Sequence, residues 1–383
     1  MPKTYRVAVV GVAHMHVNEL MRRFAEMPNV EMVAIADTVA EVPEINTHSA
    51  SSRAHTIRTA LEEIGVKKHY DDWRELLGKE RPDIVINNSE NNRHGEIVEA
   101  AAAQGAHVMI EKPMAASLYE ALRMARACQR AGVKLAVNWP STWDGRFRAM
   151  KRLLDEGAIG RLWQVHTRYG SLGPLSYGST HPGVRAPTAA YTDEEKGVTW
   201  WHRAGNGGGA LLDYACYGAN LSRWFFGVPA QAVFGMKMNA NSHYGSADDN
   251  AVLTVRFPEG MAVLEATWSC VDHMMPTGPI LYGTEGTMRG EGARADGGVA
   301  LVQGKGQEPK IVPPDTFPKG RETLAQEFIH HIETGEPLHP TMDPEFNLEA
   351  MAILDAGIRS ADSGKLELAN SPYWTVTDAG PRS

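Results

Sequence analysis

Residues 5–37, YRVAVVGVAHMHVNELMRRFAEMPNVEMVAIAD, decide the fold of the N-terminal half of the chain. The apolar run Arg6–Val10 predicts a buried strand, Met15–Phe24 predicts a helix, and Glu31–Ala36 predicts a second strand. Two buried strands joined by a helix are typical of a parallel sheet whose faces are covered by helices. The stretch therefore predicts the first βαβ unit of an α/β domain.

The turn after the first strand has part of the pattern of a dinucleotide-binding loop. Such a loop reads GxGxxG, because glycines let the backbone approach a pyrophosphate at the helix N-terminus. Gly11 matches, whereas Ala13 and His16 stand at the second and third glycine positions. Asp37 ends the second strand, where an acid accepts the ribose hydroxyls of the cofactor. Together Gly11 and Asp37 favour dinucleotide binding over an ordinary strand–turn–helix unit.

The same alternation of strands and helices continues to residue 138. It predicts three more strands and three more helices: strands at Ile84–Ile86, His107–Ile110 and Leu135–Val137, and helices at Trp73–Leu77, Gly95–Gln104 and Leu118–Ala131. Residues 38–56 are polar and have no periodicity, so we interpret them as an inserted loop. We therefore expect a Rossmann dinucleotide-binding domain over residues 1–138.

After residue 138 the chain changes to short, closely spaced strands. Four are predicted: Gln164–Arg168, Val252–Phe257, Ala262–Trp268 and Ile280–Tyr282. Turn residues at 258–260 and 283–286 indicate hairpins, and helical patterns accompany the strands at Leu211–Phe226, Leu324–Ile332 and Leu348–Ser360. The predicted fold class is therefore α/β, in which residues 139–383 form a C-terminal α+β domain on a mostly antiparallel sheet.

Composition excludes several classes of protein. A chain of 383 residues exceeds the ~250–300 at which one hydrophobic core stops growing, so two domains are expected. The net charge of −8 argues against a nucleic-acid partner. The N-terminus lacks the apolar stretch of a signal peptide and no run is long enough to span a membrane, so we expect a cytoplasmic protein. The three cysteines form no CxxC pair, and we expect no metal site.

Six motifs follow one another along almost the whole chain: Glu111–Ala115 (EKPMA), 157–165 (GAIGRLWQV), Trp201-His202-Arg203, 207–227 (GGGALLDYACYGANLSRWFFG), 283–286 (GTEG), and 327–337 (EFIHHIETGEP) with 359–365 (RSADSGK). In this order they resemble the Gfo/Idh/MocA oxidoreductase family, which includes glucose–fructose oxidoreductase and inositol dehydrogenase. The resemblance implies a Rossmann domain followed by an α+β domain on a large open sheet, and a homodimer or homotetramer packed through that sheet.

The resemblance also implies how the cofactor NAD is held. Lys112 matches the family lysine that contacts the nicotinamide ribose and the substrate hydroxyl, and Pro113 matches a proline that often follows a cis peptide bond. The implied cofactor-binding residues are Gly11, Ala13, His14, Met15, Asp37, Ser89, Glu90, Asn91, His94, Glu111, Lys112 and Pro113.

Two segments depart from the family pattern. Ser89-Glu90-Asn91 stands where the family has Thr-Pro-Asn, which puts a carboxylate beside the expected nicotinamide. Residues 138–143 (NWPSTW) replace an aromatic-Asn-Arg-Arg stretch. We therefore expect substrate and cofactor contacts at these two positions to differ from those of relatives.

The glycine run 207–209 leads into a predicted helix on which Asp213 and Tyr217, four residues apart, share one face. The resemblance places Tyr at this second position in the branch near glucose–fructose oxidoreductase and His in the inositol dehydrogenase branch. We expect Lys112, Tyr217 and Asp213 to be catalytic. Tyr217 would be the acid/base with a pKa lowered by Lys112, and Asp213 would orient the substrate. His202 is the rival base, and purely structural roles for Tyr217 and Asp213 stay open.

Polar groups and aromatic faces in the long stretch 172–209 suit a polyol substrate. The predicted substrate-binding residues are Lys112, Trp201, His202, Arg203, Asp213 and Tyr217. The sequence predicts an NAD-dependent oxidoreductase that transfers a hydride to or from a secondary alcohol or ketone of a sugar, cyclitol or glycoside. Two alternatives stay open, a redox-neutral glycoside-cleaving enzyme and a non-catalytic cofactor-sensing regulator. We expect NAD rather than NADP, because Asp37 repels a 2′-phosphate unless Arg53 approaches it.

Overall fold

The buried strands of the N-terminal half pair into one parallel sheet. In the computed structural model, which describes residues 3–294 and 296–369, its strands are β1 (Tyr5–Val12), β2 (Val30–Ala36), β3 (His69–Tyr70), β4 (Ile84–Asn88), β5 (His107–Glu111) and β6 (Leu135–Asn138). Their order is β3-β2-β1-β4-β5-β6, with parallel pairing throughout. The strand order reverses at β1, so a ligand crevice opens at the carboxyl ends of β1 and β4.

The helices of this half are α1 (Val17–Ala25), α2 (Arg53–Thr59), α3 (Trp73–Glu80), α4 (His94–Ala103) and α5 (Leu118–Ala131). The prediction of a loop over 38–56 is wrong for its last four residues, because α2 begins at Arg53. A π-helical turn, Ala60–Ile64, extends this helix. The side chain of Ser52 caps α2 by accepting the His55 N–H. The helix escaped prediction because its buried residues are the polar Arg53, Thr56 and Thr59, which give no apolar periodicity.

The second half is built on a nine-stranded sheet. Its strands are β7 (Leu162–Gly170), β8 (Ala232–Met238), β9 (Asn250–Phe257), β10 (Gly260–Thr267), β11 (Gly278–Gly283), β12 (Gly286–Glu291), β13 (Gly298–Gln303), β14 (Lys310–Val312) and β15 (Glu367–Leu368). The order is β14-β13-β12-β11-β7-β10-β9-β8-β15, and the pairing is antiparallel except between β7 and β10. The mostly antiparallel sheet and its two predicted hairpins, β9–β10 and β11–β12, are confirmed.

The helices of the second half are α6 (Gly145–Asp155), α7 (Asp193–Gly197), α8 (Cys216–Phe226), α9 (Leu324–Thr334) and α10 (Pro344–Ser363). The predicted helix from Leu211 begins as a π-helical turn, Leu211–Ala215, before α8. Helix α10 lies on one face of the sheet, where Gly235 of β8 approaches the Gly357 carbonyl so closely that a Cβ would lie 2.7 Å from it. The opposite face leaves apolar side chains exposed, among them Phe234, Met236, Met238, Val252 and Met261.

Helix α9 returns to the N-terminal half. Its buried side chains Phe328 and Ile329 belong to the same apolar cluster as Val7 of β1 and Leu20 of α1. The segment 139–383 therefore contributes to both halves, and its last residues, 370–383, lie outside the part that the structure describes. No helix within the described ranges is long and apolar enough to cross a membrane.

Candidate active site

The crevice is formed where the β1–α1 turn meets the loop after β4. Gly11 has φ of +82°, and a Cβ there would lie 2.6 Å from the Ser89 backbone. The positive φ and the close approach both require glycine at this position. A side chain would strain the backbone and collide with Ser89 in the loop after β4. The first glycine of the predicted pattern is thus explained by this close approach.

Lys112 and Asp213 join the two halves of the molecule beside this crevice. Lys112 follows β5, its peptide bond to Pro113 is cis, and its side chain is buried. The Nζ atom donates to Oδ1 of Asp213 at 2.6 Å and to the Asp213 carbonyl at 3.0 Å. The other carboxylate oxygen, Oδ2, accepts the indole N–H of Trp268 at 3.1 Å. Both carboxylate oxygens of Asp213 therefore accept hydrogen bonds from the protein, and the carboxylate positions Lys112.

The charge of Lys112 is stabilised at this position. Burial lowers the pKa of Lys112, but the Asp213 carboxylate and Tyr217 raise it by more, so the pKa lies well above its usual value. The Nζ atom also lies 5.0 Å from the centroid of the Tyr217 ring, within the range of a cation–π interaction. The site thus keeps a fixed positive charge at neutral pH.

Tyr217 lies between Lys112 and a cavity of about 260 Å³. Its ring stacks on Tyr169 at a centroid distance of 5.0 Å and packs edge-on against Trp139 at 5.5 Å. Burial raises the pKa of Tyr217 well above its usual value, although Lys112 opposes this shift. The expected net lowering of the pKa is therefore wrong, because the loss of hydration outweighs the neighbouring charge. Tyr217 keeps its proton at neutral pH and is poised as a proton donor.

The three residues of the Trp201-His202-Arg203 motif face different surroundings. Trp201 packs its ring 4.7 Å from that of His14 and lines the space beside Lys112. His202 is buried and its ring packs edge-on against Trp268 at 5.3 Å, one ring beyond Asp213. Burial lowers the pKa of His202 to about 4, so this side chain is neutral near pH 7.

Arg203, by contrast, turns away from Lys112. It donates to Glu41 at 2.9 Å and to Asn206 at 3.1 Å, toward the inserted segment. The structure thus brings Trp201, Asp213 and Tyr217 together around Lys112, and it places His202 and Arg203 farther out.

At the other end of the crevice Arg53 joins two carboxylates. Its Nη1 atom donates to both oxygens of Asp37 at 3.1 Å, and Nη2 donates to Glu90 at 2.5 Å. Burial lowers the pKa of Arg53, but Asp37, Glu90 and Glu44 raise it by more, so the guanidinium stays charged. The sequence indicated this cluster of Arg53, Asp37 and Glu90 indirectly. Glu90 stands where the family has proline, and a buried carboxylate needs a neighbouring cation.

Three expected cofactor residues serve mainly to shape the crevice. Ser89 donates its hydroxyl to Asn87 at 2.8 Å, and Asn91 donates to the Gly207 carbonyl at 2.7 Å, across to the second half. Both ring nitrogens of His94 lie near carbonyl oxygens, those of Met114 and Ser89, at 3.1 and 3.3 Å. These contacts fix the loop after β4 against its neighbours.

Comparison with known proteins identifies the family. Residues 5–139 match the oxidoreductase family with an NAD-binding Rossmann fold, and residues 147–289 match the GFO/IDH/MocA C-terminal domain. The chain belongs to the Gfo/Idh/MocA oxidoreductase family. The predicted family and fold class are thus confirmed.

This family member is similar to cyclitol and sugar oxidoreductases. It is 25% identical over 330 residues to myo-inositol 2-dehydrogenase of Thermotoga maritima, covering 82% of this chain and 89% of the relative. It is 24% identical to scyllo-inositol 2-dehydrogenase (NAD(+)) of Bacillus subtilis, covering 90% and 91%. Its fold matches the crystal structure of aldose-aldose oxidoreductase from Caulobacter crescentus complexed with glycerol, with a TM-score of 0.72 at 22% identity over 96% and 100% of the two chains.

The crevice of this Gfo/Idh/MocA protein has the groups that a dinucleotide requires. Gly11 permits the close approach of the backbone, Asp37 stands at the end of β2, and Lys112 follows β5 at the same edge of the sheet. Trp200 and Arg53 lie across it, because the Trp200 indole donates to the Ala13 carbonyl at 2.9 Å and Arg53 engages Asp37. The residues present therefore fit the cofactor.

We predict that Arg53→Met destabilises the protein by about 3–5 kcal/mol, because the substitution leaves the buried carboxylate of Glu90 and the partly buried carboxylate of Asp37 without a cation. Urea unfolding measures this loss. Adding Glu90→Gln to the variant should recover about 1–2 kcal/mol by removing one of the two charges. The control is Arg123→Met, which breaks an exposed pair with Glu99 and should leave the urea midpoint almost unchanged. Equal effects of Arg53→Met and Arg123→Met would contradict the prediction.

Proposed function

We propose that this chain is an NAD-dependent oxidoreductase that moves a hydride between the nicotinamide and a secondary alcohol or ketone of a sugar, cyclitol or glycoside. The observation that carries the proposal is the buried Lys112 ammonium, fixed by Asp213 at the carboxyl end of β5 and adjoining a cavity through Tyr217. The relatives named above include two inositol 2-dehydrogenases, one of which carries NAD(+) in its name, and inositol is a polyol. A fixed cation beside a cavity whose lining combines aromatic rings with Asp144 and Arg146 suits such substrates.

The reaction needs a proton donor and a charge stabiliser at one oxygen of the substrate. Bound NAD supplies the hydride acceptor in oxidation and, as NADH, the donor in reduction. Lys112 stabilises the negative charge that develops on the substrate oxygen, because it is held in place before the reaction and is shielded from water. In reduction Tyr217 gives its hydroxyl proton to that oxygen, and in oxidation the phenolate form takes it back.

Asp213 acts through Lys112 in this scheme and is a positioning residue. The proposed substrate-contacting set comprises Lys112, Tyr217 and Trp201, with His202 and Arg203 in supporting roles behind them. The proposed cofactor contacts are those expected from the family, with Asp37 and Lys112 at the two ends of the crevice. The redox-neutral glycoside-cleaving alternative loses support, since Glu90 is held by Arg53 and His202 lies behind Trp268.

We propose three further properties. The chain uses NAD in preference to NADP, supported by Asp37, although Arg53 offsets part of the repulsion of a 2′-phosphate. A cytoplasmic location is supported by the three free cysteines, which suit a reducing compartment. A division into domains near residue 138 is supported by the two separate sheets.

We predict that Lys112→Met lowers the rate of NADH formation by about 10²–10³-fold on the best substrate of a panel of sugars, cyclitols and glycosides, because the oxygen loses its charge stabiliser. The substitution also leaves Asp213 buried without its partner, so stability should fall. The double variant Lys112→Met/Asp213→Asn removes both charges and should regain stability without regaining activity. Turnover near that of the unaltered protein in either variant would refute the role of Lys112. Absence of NAD reduction across the panel would refute the function.

We predict that Tyr217→Phe lowers turnover by about 10²–10⁴-fold, because it deletes the proton donor and keeps the ring. In the oxidative direction the rate of the unaltered protein should rise with pH, since its raised pKa keeps Tyr217 protonated at neutral pH and oxidation needs the phenolate. This rise should vanish in the Phe variant. His202→Ala should keep it, because the pKa of His202, about 4, lies below the measured range. The opposite pattern in pH–rate profiles would transfer the acid/base role to His202.

We propose a homo-oligomer formed through the exposed apolar face of the large sheet. Met236 and Val252 stand opposite each other on β8 and β9, and both side chains are about half exposed, at 63% and 47%. We predict that Met236→Lys/Val252→Lys lowers the mass measured by sedimentation equilibrium to that of a single chain, because an oligomer would bury both charges. Tyr119→Lys, at an exposed site on α5, is the control and should keep the assembly. An unaltered mass in the double variant would disprove this interface.

A further inference from the structure

Three side chains of types that can ligate a metal ion lie close together at the carboxyl edge of the parallel sheet. His14 and His16 lie in the turn between β1 and α1, and Glu111 ends β5. One ligand atom from each lies within 4.8 Å of those of the other two. Nδ1 of His16 is 2.9 Å from Oε1 of Glu111, and the two imidazole rings are 4.2 Å apart. A metal ion bound to all three would need only small side-chain movements.

The surroundings of the three groups are those of a built site. Glu111 is fully buried, and its second oxygen, Oε2, accepts a hydrogen bond from Asn138 at 2.8 Å. Such a contact orients a carboxylate ligand. His14 is 4% exposed, and its Nε2 has no hydrogen-bond partner in the described part of the chain. An ion pair between His16 and Glu111 alone would leave this nitrogen of His14 unsatisfied at a cost.

The contact that holds His14 at present is weak. Its Nδ1 lies 3.2 Å from the backbone nitrogen of His16, at the long end of hydrogen-bond distances. Coordination through Nδ1 exchanges this contact for a metal bond, and coordination through Nε2 keeps the contact and satisfies the unpartnered nitrogen. The neighbouring ammonium of Lys112 is neutralised by Asp213, so the carboxylate of Glu111 is available to offset the charge of a cation.

The set of donor atoms selects a class of metal. Two imidazole nitrogens and one carboxylate oxygen suit Zn²⁺ and related divalent transition metals, and three protein ligands leave a coordination position open. His16 and Asn138 line a cavity of about 300 Å³, to which such a position would have access. We propose that His14, His16 and Glu111 form a binding site for a divalent transition-metal ion of the zinc class. The site occupies the turn where the glycine pattern is broken, and two of its ligands, His14 and Glu111, are also among the proposed cofactor contacts.

The test titrates the full chain, freed of metal by a chelator, with Zn²⁺ in a calorimeter, and with Co²⁺ as a spectroscopic probe of nitrogen and oxygen ligands. We expect one Zn²⁺ per chain, and an affinity about 100-fold or more lower in both His16→Ala and Glu111→Gln. Glu111→Gln keeps the size of the side chain and an oxygen for Asn138, so loss of binding there with an unchanged melting temperature reports on ligation rather than folding.

The matched control is His166→Ala, which breaks another pair of His and Glu, His166 with Glu265 at 3.0 Å, outside the cluster. This variant should bind Zn²⁺ like the unaltered protein. The proposal is overturned if the unaltered chain binds no Zn²⁺, if both cluster variants keep its affinity, or if His166→Ala loses as much affinity as they do.

Discussion

The buried ion pair of Lys112 and Asp213 is the interaction on which the site depends. Withdrawing both charges from water is costly, and the pair is tolerated because each partner has further hydrogen bonds. The Asp213 carbonyl and the Trp268 indole provide them. Since Lys112 follows β5 and Asp213 precedes α8, this interaction joins the parallel sheet to the domain of the large sheet, together with the contacts of Asn91 and Trp200. The positions of Tyr217 and its cavity follow from that relation.

A second charged assembly, Arg53 with Asp37 and Glu90, lies at the far end of the crevice, within the N-terminal half. Here the cation is the first residue of α2, so the end of the long connection after β2 supplies part of the crevice. Its carboxylates surround a single guanidinium, whose planar shape serves two acids at once. A family position normally occupied by proline has thereby become part of a buried network.

Much of the fold could be predicted because local signals agreed with the final packing. Helix α5 has the bounds predicted for it, since its apolar residues repeat with helical spacing, Ser117 caps its start and Gly132 takes the left-handed conformation at its end. Helix α2 could not be predicted, because its buried face is polar. The association of α9 with β1 joins residues that are far apart in the sequence. The periodicity of a single segment does not reveal such a contact.

The site shows the same limit. The spacing of Asp213 and Tyr217 predicted their shared surroundings, but a pKa depends on how much water each group loses. For Tyr217 that loss reverses the expected shift. The convergence of His14 and His16 on Glu111 joins residues 95 positions apart, and the sequence around each contains no sign of the other. The family motifs indicated which residues belong to the site. The groups that each of these residues contacts could be seen only in the folded structure.

The return of α9 to the N-terminal half limits how the crevice can open. The chain crosses between the halves after β6, again before α9, and a third time between α9 and α10, so three covalent connections tether them. Three connections and the apolar cluster that α9 shares with the N-terminal half allow the two halves less independent movement than a single linker would. The crevice is therefore bordered by halves that are joined both by the Lys112–Asp213 pair and by the course of the chain itself.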